Sequence, residues 1–275
     1  MTERPTRIAV KRTARSGGVV MPGERIVPEE VPIAFSYGGS THAVMMGTPA
    51  DLEDFAIGFS LTEGIISEVG QIAGVEIIEG DKGIDVQISL VDEVAAALTA
   101  RRRSMAGPVG CGLCGIESIE QAVRKVPDVS AVSLNVSYRD IIEAVSLLNG
   151  AQPLHRETHA VHGAGFYLPG KGQLSVREDV GRHNALDKLC GAVIARQQSG
   201  AQGIVAVTSR LSVEMVQKAA ILGSSILVAI SAPTALAIRT ADEAGMTLVA
   251  LVRGEDFEIF TRPHRIQPES ISDVA

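Results

Sequence analysis

Tryptophan is absent from this chain of 275 residues, and with only 3 Tyr and 6 Phe the aromatic share is 3%. The core cannot rest on aromatic packing, so Val, Ile, Leu and Ala must fill it, which favours an α/β architecture over an aromatic-rich β-sandwich. Cysteine is nearly as scarce. Three cysteines cannot build the disulfide framework that staples small secreted folds. Long apolar runs are missing too, for the longest, around Ile226 to Ile230, stops at Ser231 and Pro233, well short of a bilayer. The opening Met1-Thr-Glu-Arg-Pro-Thr-Arg7 lacks the apolar segment of a secretory signal. Surplus basic charge is the last absence: 25 Lys and Arg against 32 Asp and Glu leave −7, which argues against duplex DNA or RNA as a partner. The expectation is a cytoplasmic protein of a reducing compartment, with no nucleic-acid or membrane partner.

What is present has a rhythm. Residues 1–24 scatter Arg4, Arg7, Lys11, Arg12 and Arg15 among Pro, Thr and Gly, and read as a flexible tail. Val31–Tyr37 and Thr41–Met46 flank Gly38-Gly39-Ser40 as a hairpin. A helix should follow, with Thr48 as its cap, Pro49 in its first turn, Asp51 in a capping box, and Leu52, Phe55 and Phe59 on one face. A second hairpin is expected from 75–79 and 84–91, then a helix ending in Arg101-Arg102-Arg103. Residues 104–115 read as a Gly-rich mobile loop around Cys111 and Cys114, and helices are expected at 116–126 and 139–148, the second capped by Ser137. From residue 158 strands alternate with helices, the pattern of a largely parallel sheet covered on its faces. The expected division is a tail (1–24), an N-terminal hairpin-rich subdomain (25–150) and a C-terminal α/β subdomain (151–275).

Chemistry-bearing residues gather in two places. Ligands of open α/β sheets bind beyond the carboxyl ends of the strands. Here those loops are Asp179 to Asn184, Thr208 to Ser212, Ser231 to Thr234, and Arg253 to Asp256. Arg182, Arg210 and Arg253 would add guanidinium forks to helix N-termini that already favour anions. The second place is Cys111-Gly-Leu-Cys114. It lacks a second cysteine pair for zinc and the strand-to-helix setting of a thioredoxin motif. A carrier of reactive sulfur, whose elementary step is thiolate attack on another sulfur, fits an exposed thiol between glycines. His155-Arg156-Glu157 echoes a deaminase zinc motif, but the order of its halves is reversed. Cys190, on an expected helix, reads as core.

Several longer stretches carry a resemblance: Val44-Met45-Met46, Asp51 to Phe59, Leu61 to Ile66, Gly110 to Gly115, Glu178 to Lys188, Ser209 to Lys218, Gly245 to Val249 and Thr261 to Ile266. In this order, over about residues 25–266, they resemble the FdhD family of formate dehydrogenase accessory sulfurtransferases. The resemblance implies an α/β, cytidine deaminase-like three-layer fold without a structural metal, and a homodimer. It implies that Cys111 accepts persulfide sulfur from a cysteine desulfurase, with Cys114 assisting or resolving. The sulfur then passes to a molybdenum or tungsten bis(molybdopterin guanine dinucleotide) cofactor before insertion into the formate dehydrogenase catalytic subunit. The family's cofactor stretch falls on Leu251, Val252, Arg253, Gly254, Glu255 and Asp256, where Glu255 and Asp256 bring acid towards an expected phosphate. Arg182, His183 and Arg210 become candidates for the cofactor's phosphates, and His162 matches the family as well. The alternative is a chaperone that shelters the cofactor and transfers no sulfur.

Overall fold

Residues 7–28, expected in large part as a tail, form regular structure. In the computed structural model, which describes residues 4–105 and 126–268, β1 (Arg7–Ser16) and β2 (Val19–Pro28) pair antiparallel from Arg7↔Pro28 to Ser16↔Val19. Gly17 and Gly18 both take positive φ (57° and 85°), as a two-residue hairpin turn demands. Apolar and basic residues share both faces of this ribbon, so the sequence shows no one-faced alternation.

The next two hairpins lie where the turn residues place them. β3 (Val31–Tyr37) and β4 (Ser40–Gly47) turn on Gly38 and Gly39, and β5 (Ile72–Gly80) pairs with β6 (Gly83–Leu90). A parallel β3–β6 contact joins them in the order β4-β3-β6-β5. Helix α1 (Leu52–Thr62) covers one face, where Phe35 stacks on Phe59 with centroids 4.4 Å apart and meets Phe55 edge-on at 4.8 Å. The start of α1 corrects the sequence reading. Asp51, left-handed at φ 53°, precedes the helix without a side-chain cap, and Thr48 lies outside it. The Thr48 hydroxyl instead accepts a hydrogen bond from the Val180 amide at 3.1 Å. Helix α2 (Asp92–Met105) follows. Most of the Cys111–Cys114 loop and of the helix expected at 116–126 lies outside the described residues.

The chain returns along the large sheet. β7 (Val136–Ser137) leads into α3 (Tyr138–Gly150), capped by the expected Ser137–Asp140 box. Ile141, Ala144 and Leu148 of α3 pack with Tyr167, Ile204 and Val228 against the large sheet. α4 (Pro153–Thr158) ends where a strand was expected to begin, its start held by the Glu178 carboxylate, which accepts from the Leu154 and His155 amides at 2.9 and 2.8 Å. The alternating elements follow: β8 (His162–Leu168), β9 (Gln173–Asp179), α5 (Arg182–Ala195), β10 (Ile204–Val207), α6 (Val213–Leu222), β11 (Ile226–Ala229), α7 (Ala235–Glu243) and β12 (Thr247–Arg253). β13 (Asp256–Thr261), not foreseen, extends the sheet, and β14 (Ile266–Gln267) pairs with β7.

The sheet order is β13-β12-β11-β10-β8-β9. Only β10, β11 and β12 are parallel neighbours, while β8, β9 and β13 pair antiparallel. Helices α5, α6 and α7 fill one face and α3 the other, which gives the α/β layering anticipated. Among the described residues no helix is long and apolar enough to cross a membrane.

The halves meet where α1 crosses α5. A Cβ on Gly58 would overlap the Asp187 carbonyl, and one on Gly191 would overlap that of Asp54. Gly58→Ala and Gly191→Ala are each expected to destabilise by about 1–3 kcal/mol or more, since backbone cannot yield as a side chain can. Gly150→Ala, with open space around it, should be close to neutral. Urea unfolding of the three variants measures the difference.

Candidate functional site

β9 is antiparallel to β8, and β8 to β10, so β9 points the same way as β10, β11 and β12. The carboxyl ends of all four therefore share one rim, as does the start of β8, where His162 stands opposite Asp179. Arg182 opens α5 at the β9 end, Arg210 follows β10, Ser231 to Thr234 follow β11, and Arg253 ends β12. With strands about 4.8 Å apart, the β9 and β12 ends are roughly 19 Å apart, and β10 lies between them. The rim thus brings Arg182, His183, His162 and Arg210 to one side, with Leu251 to Asp256 at the far end.

The β9 loop is held from below. Asp179 is fully buried, and both carboxylate oxygens are saturated. Oδ1 accepts from the Gly181 amide at 2.7 Å and Asn184 Nδ2 at 3.0 Å. Oδ2 accepts from the Thr48 amide at 3.0 Å and pairs with Lys188 Nζ at 2.6 Å. Lys188, also buried, donates to the Thr48 carbonyl at 2.9 Å, and Asn184 donates to that of Met46 at 2.8 Å. Asn184 and Lys188 reach the same carboxylate because they are four residues apart on one helix face. This clamp ties the loop bearing Arg182 and His183 to the link between β4 and α1. The other loops are pinned too. The Gly163 amide donates to Thr208 Oγ1 at 3.0 Å, and Thr234 caps α7 through the Ala237 amide at 3.2 Å.

Burial, reinforced by the Arg182 and Lys218 charges, pulls the His183 imidazole down from 6.5 to about 4. Its Nε2 is buried without a hydrogen-bond partner among the described residues, and Glu214 Oε2 lies 4.0 Å away. Burial and Arg182 lower His162 as well. Positive charge at neutral pH therefore comes from arginine, while a neutral imidazole offers one donor and one acceptor.

At the far end, Arg253 pairs with Asp256 across a turn containing Gly254 (φ 63°), and Glu255 and Asp256 are exposed there. Leu251 is left-handed (φ 58°) at a register shift in β12, a strained conformation for a bulky residue. Cys190 is buried in α5, and burial pushes its thiol well above the ordinary range, in keeping with a core residue. Cys111 and Cys114 lie outside the described residues.

The sequence reading named Arg182 and His183 but missed the groups that hold them: Thr48, Asp179, Asn184 and Lys188. It also missed a second buried cluster, in which Lys218 Nζ bonds both Asp187 oxygens (2.7 and 2.9 Å) and Thr62 Oγ1 (2.9 Å). The available signal was an Asp-Lys pair, 187 and 188, directly before the apolar stretch 189–195 of the same helix.

The fold is that of a layered α/β protein with Arg182, Arg210 and Arg253 on one rim of its sheet. Its kin are specific. The FdhD/NarQ family model matches residues 28–267, and this chain belongs to that family. It is 70% identical over 257 residues to the "Sulfur carrier protein FdhD" of Agrobacterium fabrum, covering 94% of this chain and 95% of that one. It is 60% identical over 242 residues to the protein of the same name from Brucella abortus, covering 88% and 90%. A crystal structure described as a formate dehydrogenase accessory protein, from Desulfotalea psychrophila, superposes with a TM-score of 0.76 at 27% identity, covering 96% of this chain and all of that one.

Two outcomes are expected of the clamp and the imidazole. Asp179→Ala, which leaves Lys188 buried and unpaired, should cost about 3–5 kcal/mol in chemical denaturation. His183 should titrate near 4 by NMR. Because the unfolded chain binds that proton near 6.5, protons favour unfolding in between, so His183 should erode stability as pH falls from 6.5 towards 4.

Proposed function

We propose that this protein is a sulfur carrier for formate dehydrogenase maturation, acting through Cys111. The names borne by its relatives support the role, and nearly full-length identity of up to 70% among those relatives carries it to this chain. In the first step the Cys111 thiolate attacks the outer sulfur of a persulfide on a cysteine desulfurase. The donor's S–S bond breaks, its own cysteine leaves as thiolate, and Cys111 holds the persulfide. No external oxidant or reductant is consumed. The acceptor is the bis(molybdopterin guanine dinucleotide) cofactor, bound as substrate, with Cys114 assisting transfer.

The observation that carries the cofactor half of the reading is the shared rim. Arg182 and Arg210 sit two strands apart, at the spacing of a nucleotide's phosphates and sugar, and Arg253 extends the reach to the 251–256 stretch. Helix N-termini at α5, α6 and α7 add amide donors. His183, being neutral, would hydrogen-bond without adding charge. Glu255 and Asp256 leave Arg253 as the anion-facing group of its turn.

Mass spectrometry after incubation with a cysteine desulfurase and cysteine tests the carrier half. One extra sulfur should appear on Cys111, disappear in Cys111→Ala, and largely survive in Cys114→Ala; a wild-type protein that stays unmodified would point to the cofactor chaperone instead. Calorimetric titration with GDP, standing in for one end of the cofactor, tests the rim. Arg210→Ala should weaken binding by roughly 1.5–3 kcal/mol, and salt should weaken the wild type. Unchanged affinity in an Arg182→Ala/Arg210→Ala double variant would move the site elsewhere.

A further inference from the structure

Glu255 and Asp256 put acid where a phosphate was expected, and the layout of the rim gives that acid a different use. The loops after β10 and β11 and the end of β12 are stitched edge to edge. The Leu211 amide donates to the Ala232 carbonyl at 3.2 Å, the Thr234 amide to that of Leu211 at 2.9 Å, and the Leu251 amide to that of Ser231 at 3.4 Å. Leu211 and Pro233 thus stand opposite each other beyond the strands proper. At one side of this floor Arg210 is exposed. In its middle, where α7 begins, Ala232 and Ala235 are exposed beside Leu236, a large apolar side chain 42% open to solvent. At the other side β12 and β13 run on past Leu251 and stand up as a wall. Its Arg253↔Asp256 turn lies roughly 7 Å further along the strand.

Alternation fixes which carboxylate faces that floor. Val252 and Phe257 pack on the α3 face of the sheet. Their neighbours Arg253 and Asp256 therefore project to the opposite face, the one that α7 covers. Asp256 is exposed there, and among the described residues its carboxylate makes no ion pair or hydrogen bond, Arg253 included. From β10 to β12, two strand spacings or roughly 10 Å, the order is cation, apolar shelf, carboxylate. A nucleoside diphosphate has the complementary order: anionic phosphates, a flat ring, and the polar edge of that ring.

We propose that Asp256 is the specificity-determining residue of the rim: it reads the edge of a guanine base that lies on Leu236, while the diphosphate reaches Arg210. The inference rests on the proposed function, in which the rim receives the nucleotide end of the cofactor. The chemistry selects guanine. Its N1–H and N2 amino group are adjacent donors, and the two oxygens of one carboxylate accept from both. Adenine presents a lone pair at N1, so the carboxylate would face an acceptor. Hypoxanthine keeps N1–H but lacks the amino group. A site built to accept from an N–H rejects the analogue without it, because its own buried acceptor is left unpaired. Acid at this turn then serves the base and does not oppose the phosphates.

The test is calorimetric titration of the full chain and of Asp256→Asn with GDP, IDP, ADP and xanthosine diphosphate. The wild type should bind GDP roughly ten-fold more tightly than IDP, and ADP more weakly still. In Asp256→Asn one acceptor becomes a donor, which suits the 2-oxo group of xanthine. GDP should weaken by roughly ten-fold, and xanthosine diphosphate should bind more tightly than it does to the wild type. Damage to the fold would weaken every nucleotide alike, so that gain separates recognition from a structural role, and the thermal midpoint of this exposed substitution should not move. Equal wild-type affinities for GDP, IDP and ADP, or an Asp256→Asn protein that keeps the wild-type order, would overturn the proposal and leave the arginines of the rim in place. GDP that fails to bind the wild type at all would remove both.

Discussion

Helices α1 and α5 touch backbone to backbone at Gly58 and Gly191, and the placement of every charged group behind the rim follows from that approach. It sets Asp187 of α5 against Thr62 of α1, with Lys218 of α6 closing the triangle. Burial pushes the Asp187 carboxyl up, and the Lys218 ammonium opposes it. One residue further on, Lys188 turns towards Asp179 and Thr48 instead. A single helix thus sends one charge to the junction of the halves and the next to the rim. Buried pairs of this kind rarely add much net stability, because desolvation offsets attraction, but losing one partner is severe. Their effect here is to fix register: Asp179 has no unused oxygen, so the loop carrying Arg182 and His183 has one position.

That rigidity bears on how an anionic cargo would be met. Lowering His162 and His183 removes titratable charge from the rim near neutral pH, so recognition of such a cargo would rest on arginines and amides whose charge does not vary there. On the proposed function, a dinucleotide held at the rim by fixed charges at one end would leave its metal end free for chemistry by a thiol, the rim holding the cargo and Cys111 delivering sulfur.

Much of this architecture was legible from residues whose effect is local. Gly38-Gly39 predicts its hairpin, Ser137 with Asp140 predicts a capped helix, and the βα alternation after residue 158 predicts the covered sheet. The misreadings fall where a distant partner overrides a local signal. Thr48 looks like a helix cap, but Val180 and Asp179 claim it. The short helix at Pro153 was not foreseen, since Glu178 arrives from β9 to hold its start. The β1–β2 ribbon hid because its apolar residues divide between two faces. Arg182 and Arg210 could be named from topology, whereas the roles of Asp179, Asn184 and Lys188 needed contacts across more than 100 residues, to Thr48 and Met46. The sulfur-bearing role of Cys111 rests on motif and kinship.

The central claim is that the rim receives the nucleotide end of the cofactor. Hydrogen–deuterium exchange with and without GDP tests it most directly, because it reports every loop at once. The account predicts slowed exchange at 160–163, 180–184, 208–212 and 251–254, with the β1–β2 hairpin unaffected. Protection confined to the hairpin, to α2 or to the four-stranded sheet, with the rim loops unchanged, would contradict it.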